Sequence, residues 1–71
     1  MSKLTLLAID FGFPTPDDLV EAYISDGVMP GICMTRGCDY STEVEPDQDQ
    51  GWCECCGTNT VKAATVLMGI I

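Results

Sequence analysis

The feature that most constrains this chain is the spacing of four cysteines, Cys33, Cys38, Cys53 and Cys56. They form two close pairs, and fourteen residues separate Cys38 from Cys53. A structural zinc ion is commonly held by two such pairs, which supply four thiolates in a closed tetrahedron. The connector is slightly shorter than the roughly 15–20 residues usual between pairs, but a short hairpin spans it. The spacing therefore predicts a metal site on these four side chains.

Neighbouring residues refine the predicted ligand set. Gly57 follows Cys56, which would let the backbone turn tightly around the metal and direct N–H groups at sulfur. Cys55 could replace Cys53 or Cys56, but a one-residue spacing closes a tetrahedron poorly. Cys53 and Cys56 are therefore the predicted second pair, and Cys55 is left outside the site.

Two further residues lie close to the cysteines in sequence. Arg36 lies between the first pair, where it either offsets the thiolate charge or is a solvated loop residue. Trp52 precedes Cys53 and is expected to be packed, either over the metal or against Tyr40, because aromatic burial weighs heavily in small cores.

Disulfides and iron are the alternatives to zinc. No signal peptide is recognisable in the first residues, so a cytoplasmic location is expected, where thiols stay reduced. Five cysteines are also an odd number for a disulfide framework. A single iron suits a tetrahedral sulfur site in the manner of rubredoxin, although the longer first pair differs from the usual short loop. Zinc is the predicted metal, with iron as the alternative.

Size and charge narrow the class of function. A chain of 71 residues is expected to be one domain with a marginal core, so the metal would contribute to folding. Eleven acidic and three basic side chains give a formal charge of -8, which four thiolates on one zinc would change to about -10. Because phosphate binding depends on clustered cations, direct nucleic-acid binding is disfavoured. A basic protein partner fits the charge better.

Catalysis is not predicted. The chain contains no His, so a Cys–His nucleophile is excluded, and a catalytic zinc would normally recruit His or carboxylate ligands. Acidic residues recur at odd positions, where an extended chain would place them on one side. The sequence predicts that they form either a solvent face or an acidic docking surface; they are Asp39, Glu43, Glu45, Asp47 and Asp49.

Two short helices are expected before the cysteines. The apolar residues of segment 2–11 fit a helical stripe and also a strand; a helix is favoured because Ser2 can cap it and Gly12 can end it. Segment 15–26 is a clearer helix, with Thr15 as the cap, Pro16 at the first position and Gly27 as the stop. Segment 28–31 is expected to be a connector.

The remaining chain is predicted to form a hairpin and a final helix. Segment 40–45 alternates as a strand, segment 45–48 has the composition of a turn, and segment 51–53 returns to the metal. Segment 58–71 is expected to form an apolar helix, too short and too charged to span a bilayer. Its main apolar face, expected either to be buried or to contact another protein, comprises Val61, Ala64, Leu67, Met68 and Ile71.

The whole pattern resembles a known kind of protein. The segments Pro30–Cys33, Cys38–Tyr40, Glu43–Gln48, Gly51–Cys53 and Cys56–Thr60 carry this resemblance. They resemble small zinc-ribbon proteins of bacterial and phage genomes that have no established activity. The resemblance implies a zinc site on the same four cysteines. It fits an α+β fold in a single domain, with a helical part (1–29), a zinc ribbon (30–57) and a C-terminal helix (58–71).

The predicted function is that of a small, non-enzymatic, structural-zinc protein that acts through protein contacts. A bacterial or phage regulator, or a protein that binds a host factor, is the concrete form of this hypothesis. Self-association through the C-terminal helix is a further use of the apolar surface. The alternatives are a nucleic-acid-binding zinc ribbon and a rubredoxin-like electron carrier. No membrane contact is predicted.

Overall fold

The computed structural model describes residues 2–70, which adopt an α+β fold. Two N-terminal helices pack with a curled, four-stranded antiparallel sheet, and a short helix follows the last strand. The elements are α1 (Lys3–Asp10), α2 (Pro16–Tyr23), β1 (Met29–Cys33), β2 (Ser41–Val44), β3 (Gly51–Cys53), β4 (Thr58–Ala63) and α3 (Ala64–Leu67). The fold class and the N-terminal helices are therefore as predicted. Within residues 2–70, no helix is long and apolar enough to cross a membrane.

Both N-terminal helices begin at the predicted caps. The Ser2 side chain accepts a hydrogen bond from the Thr5 backbone N–H, and Thr15 accepts one from Asp18. Each cap satisfies a backbone donor that has no partner inside the helix. The first segment is thus a helix rather than a strand, and α2 ends at Tyr23, earlier than predicted.

Gly12 ends α1 as predicted. Its φ of 84° is left-handed, and the N–H groups of Gly12 and Phe13 bond the carbonyls of Ile9 and Ala8. This is the Schellman arrangement, in which glycine adopts the left-handed conformation at no steric cost. The chain can therefore turn sharply from α1 towards α2.

The sheet consists of two hairpins laid side by side, in the order β2-β1-β4-β3. β1 pairs with β2, β3 pairs with β4, and β1 also pairs with β4 from Gly31 to Cys33. The predicted hairpin between segments 40–45 and 51–53 is wrong, because β2 and β3 lie at opposite edges. The predicted turn does form, with Gln48 N–H bonded to the Glu45 carbonyl, but it starts a crossover between the edges.

The predicted connector at 28–31 is also wrong, because most of it belongs to the buried central strand β1. Pro30 is tolerated there because the β1–β4 register begins only at Gly31, one residue later. Gly31 is required by close packing: a Cβ at this position would lie 2.9 Å from Val44 Cγ2 and 3.0 Å from the Lys62 carbonyl oxygen. The sheet can therefore close only around a residue without a side chain.

The predicted helix at 58–71 is wrong over its first half. Thr58–Ala63 form β4, and the helix α3 spans only Ala64–Leu67. β-branched residues such as Thr60 and Val61 favour a pleated strand, and β4 gains backbone partners on both sides. Val61, placed on a helical face by prediction, is instead buried in the sheet. The predicted face also included Ile71, which lies outside the described residues.

Two apolar clusters form the core. The first joins the helices to the sheet; its buried members are Leu7, Ala8, Leu19, Val20, Met29, Ile32, Ala63 and Ala64. The second contains Cys33, Cys38, Cys53 and Val61. Val44 packs against both clusters, so it links the helical core to the cysteine cluster.

Candidate metal centre

The four predicted ligands come from the ends of the two hairpins. Cys33 ends β1 and Cys38 lies in the loop that leads to β2, whereas Cys53 ends β3 and Cys56 lies in the turn before β4. Because β1 and β4 are paired in the middle of the sheet, the two loops lie next to each other. The topology therefore brings together cysteines that are far apart in the chain.

The sulfur atoms have the separations expected of a tetrahedral thiolate site. All four Sγ atoms lie within 4.8 Å of one another, with 3.8 Å from Cys33 to Cys56 and 3.7 Å from Cys38 to Cys53. A tetrahedron with Zn–S bonds of about 2.3 Å has S···S edges of about 3.8 Å. A disulfide would need about 2.0 Å, and all five thiols are free. The cluster can therefore hold a metal ion.

Local hydrogen bonds orient two of the sulfurs. The Thr35 N–H donates to Cys33 Sγ at 3.4 Å, and the Cys56 N–H donates to Cys53 Sγ at 3.3 Å. Thr60 Oγ1 lies 3.0 Å from Cys33 Sγ. Such second-layer contacts fix the direction of a ligand and tune its charge. Thr60 was not predicted as part of the site, because its role depends on the strand β4.

Each loop contains a glycine with left-handed backbone. Gly37 has a φ of 86° and precedes Cys38, whereas Gly57 has a φ of 69° and follows Cys56. The Gly57 N–H donates to the Cys53 carbonyl at 2.8 Å, which closes the second loop. The predicted contribution of Gly57 to a tight turn is thus observed, although the N–H directed at sulfur belongs to Cys56.

The thiols differ in their tendency to ionise. Burial alone would raise the pKa of Cys33, but hydrogen bonds from Thr35 and Thr60 outweigh it and lower this pKa to about 6. The pKa of the Cys56 thiol is raised to about 12, first by its hydrogen bond with Cys38, and then by burial and by its hydrogen bond with Cys33. A bound cation would reverse the second effect, because a coordinating thiol loses its proton. Of these two thiols, Cys33 is therefore the one better prepared to receive a metal as a thiolate.

The segment between Cys33 and Cys38 is called the first cysteine loop below. The cation that donates hydrogen bonds to this loop is Lys3, and not Arg36, which lies within the loop. Lys3 Nζ donates to the carbonyls of Thr35 and Cys38, and it lies 3.1 Å from the Asp39 carboxylate. Arg36 is exposed and forms no ion pair within residues 2–70. Lys3 thus connects the start of α1 to the first cysteine loop. A basic residue at the N-terminus gave no signal for this contact, because it depends on tertiary packing.

Two predictions about neighbouring residues have opposite outcomes. Cys55 is exposed and lies outside the four-sulfur cluster, in agreement with its exclusion from the ligand set. Trp52 was expected to be packed in the core, but 56% of its surface is exposed. The alternation along β3 explains this, since Cys53 faces inward and its neighbour must face outward.

The acidic residues do not line one hairpin. All five predicted positions are exposed, but they are divided among the β1–β2 loop, the edge strand β2 and the crossover. Asp39 is paired with Lys3. The acidic character of the surface is therefore real, whereas its arrangement on one side of a hairpin was wrong.

Comparisons with protein-family models, with curated proteins and with solved structures find no match for this chain. The resemblance to small zinc-ribbon proteins therefore stays a prediction. The chemistry of the site has to be inferred from its own residues.

Proposed function

We propose that this protein is a small, non-enzymatic domain organised by one structural zinc ion, and that it acts through contacts with another protein. The main support for this proposal is the cluster of Cys33, Cys38, Cys53 and Cys56. Their sulfur atoms all lie within 4.8 Å of one another. Four thiolates complete the tetrahedral shell that zinc prefers, which leaves no position for a substrate or an activated water. A closed site serves folding, so the function belongs to the protein surface.

The burial of the cluster supports a structural role. Three of the four cysteines are buried and the fourth is half-buried, within a core that shares Val44 with the helical layer. Metal bound there would stabilise both hairpins at once. The binding free energy of such a site is also folding free energy, and it reaches about 10 kcal/mol or more for structural zinc.

Iron is the alternative metal, because the same tetrahedron of sulfurs and the same N–H···S contacts suit a rubredoxin-like centre. The two metals predict different functions, since iron would make this protein an electron carrier. Metal analysis and the visible spectrum of the purified protein separate them. We expect one zinc per chain and a colourless solution; a red protein with one iron would overturn the zinc proposal.

The structural role is tested by removing the metal. Far-ultraviolet circular dichroism of the protein, recorded before and after dialysis against a chelator, should show loss of native structure and its recovery with zinc. A native spectrum after complete removal of metal would contradict this role.

The surface role has a separate test against nucleic acid. With a net charge of -8, the protein should not retard DNA or RNA in a mobility assay at low salt. A salt-dependent shift would favour a nucleic-acid-binding zinc ribbon over a protein-binding domain.

A further inference from the structure

The most exposed aromatic side chain lies at an open edge of the sheet. Trp52, the only Trp of the chain, is 56% exposed and occupies the middle of β3, between buried Gly51 and Cys53. β3 is an edge strand of the sheet. Among the elements of residues 2–70 it packs closely only with β4. A large aromatic ring is thus presented where no helix covers it.

Carboxylates flank this ring along the chain. Asp49 precedes Trp52 by three residues and Glu54 follows it by two, and both are exposed. Neither forms an ion pair with a residue that the structure describes. An indole face carries partial negative charge, so it attracts a cation as the carboxylates do. Asp49, Trp52 and Glu54 together are called the Trp52 surface below.

We propose that the Trp52 surface binds an extended Lys- or Arg-rich segment of a partner protein. A guanidinium or ammonium group would stack on the indole, and neighbouring basic residues would pair with Asp49 and Glu54. Exposed Trp side chains are frequent anchors of protein interfaces, and cation stacking is strongest on Trp. This inference rests on the proposed function and specifies the chemistry of the partner.

Charge complementarity disfavours the negatively charged occupants of this edge. A second copy of the chain, a nucleic acid and an anionic membrane are all negatively charged, as is this protein at -8. Addition of a further strand is disfavoured because β3 has three residues and a register irregularity between Gly51 and Trp52. Short, bulged edges are a common protection against strand pairing. A basic segment that binds through side chains is the occupant that the charge favours.

The test measures binding of one defined probe to the zinc-loaded full chain. A fluorescein-labelled ten-residue peptide of alternating Arg and Ser is titrated with protein, and its anisotropy is recorded at two salt concentrations. We expect saturable binding that weakens with salt. Trp52→Ala should weaken it about 2- to 5-fold, which corresponds to the usual strength of an exposed cation–π contact. Trp52→Phe should give an intermediate affinity.

Matched variants separate the local effect from net charge. Asp49→Asn with Glu54→Gln removes two charges close to Trp52 in the sequence, whereas Glu21→Gln with Asp26→Asn removes two exposed charges on and after α2. Ile24→Ala removes an apolar side chain of similar exposure, 57%. The first pair should weaken binding several-fold more than the second pair, and Ile24→Ala should leave it unchanged.

Several outcomes would overturn the inference. These are equal affinity of Trp52→Ala and Ile24→Ala, equal binding of an acidic peptide of the same length, or a dimer in sedimentation that Trp52→Ala dissociates. Each variant is first checked for one metal per chain, and if Trp52→Ala fails, Trp52→Phe and the charge variants carry the test. Absence of binding to a fully metallated protein would refute this inference alone, whereas failure to hold metal would refute the proposed function.

Discussion

The four clustered thiols share one site, but they differ in their surroundings. Cys33 is fully buried and accepts hydrogen bonds, whereas Cys56 is half-buried in a turn. Cys55 is adjacent to Cys56 in the chain and yet exposed to solvent. Position in the cluster, and not position in the chain, should therefore decide what a substitution does.

The first prediction concerns these thiols. Cys33→Ser, Cys38→Ser, Cys53→Ser and Cys56→Ser should each abolish stoichiometric zinc binding and native circular dichroism. Loss of the metal removes on the order of 10 kcal/mol, which is comparable with the whole stability of a small domain. The matched control is Cys55→Ser, which should retain one zinc per chain and unfold within about 0.5 kcal/mol of the parent protein. If Cys55→Ser were equally damaging, the assignment of the four sulfurs to the site would be wrong.

At the residue scale, the sequence predicted which cysteines cluster better than it predicted their neighbours. Spacing indicates these four cysteines, because a metal site is commonly built from pairs of ligands in short loops. The contacts of Lys3 and Thr60 depend on tertiary packing, and the exposure of Trp52 depends on the direction of the strand β3. The spacing of the cysteines carries no such information. Arg36 was the nearest cation in sequence, but Lys3 is the one that contacts the loop.

At the scale of elements, caps were more informative than apolar periodicity. Ser2, Thr15 and Gly12 marked helix ends through local hydrogen bonds, which act in any tertiary context. Segment 58–63 was misassigned because its apolar residues fit a helical face and its partners, β1 and β3, were not recognised. The hairpin was misassigned because strands that neighbour in sequence were assumed to pair. Non-local pairing decided both cases.

The second prediction concerns the connection between α1 and the first cysteine loop. Lys3→Met should destabilise the zinc-loaded protein by about 1–3 kcal/mol, because the Thr35 and Cys38 carbonyls lose a charged donor. Asp39→Asn should cost less than about 0.5 kcal/mol, since its side chain is 62% exposed and water screens the pair. Urea denaturation measures both.

The control for this prediction is Arg36→Met. It also removes one positive charge, but from an exposed residue within the first cysteine loop. It should behave like the parent protein. If Lys3→Met and Arg36→Met have equal effects, the contribution of Lys3 is one of net charge, and α1 is not held to the loop by this contact.

At the scale of the whole molecule, the cysteine cluster and the helical core are connected by shared contacts. Val44 contacts both clusters, and Ala63 donates its N–H to the Gln48 carbonyl, so the crossover is attached to the end of β4. Thr65 donates its hydroxyl hydrogen bond to the Pro46 carbonyl from α3. Loss of the metal should therefore unfold the helices together with the sheet.

The third prediction concerns acid. The pKa of Cys33 is lowered from its ordinary 9.0 to about 6, so its stabilising effect is complete above its unfolded value and is lost as the pH falls through about 6. Zinc adds to this dependence in the same direction, because protons compete for every thiolate. Zinc release and loss of ellipticity should coincide as the pH is lowered from 8 to 4, as followed with a zinc-sensitive dye. A protein that becomes more stable on acidification would contradict the assignment.

The division of the four candidate ligands between two hairpins has a consequence for refolding. Each hairpin end contributes two thiols and can form early, because its contacts are local, whereas Cys33 and Cys56 meet only when β1 pairs with β4. Until then, each end is a bidentate half-site that can capture a metal ion on its own. At high protein concentration, two such ends from different chains would compete with the intramolecular pair for the same ion. Dilute chains and slow addition of metal should therefore favour the monomeric fold over cross-linked oligomers.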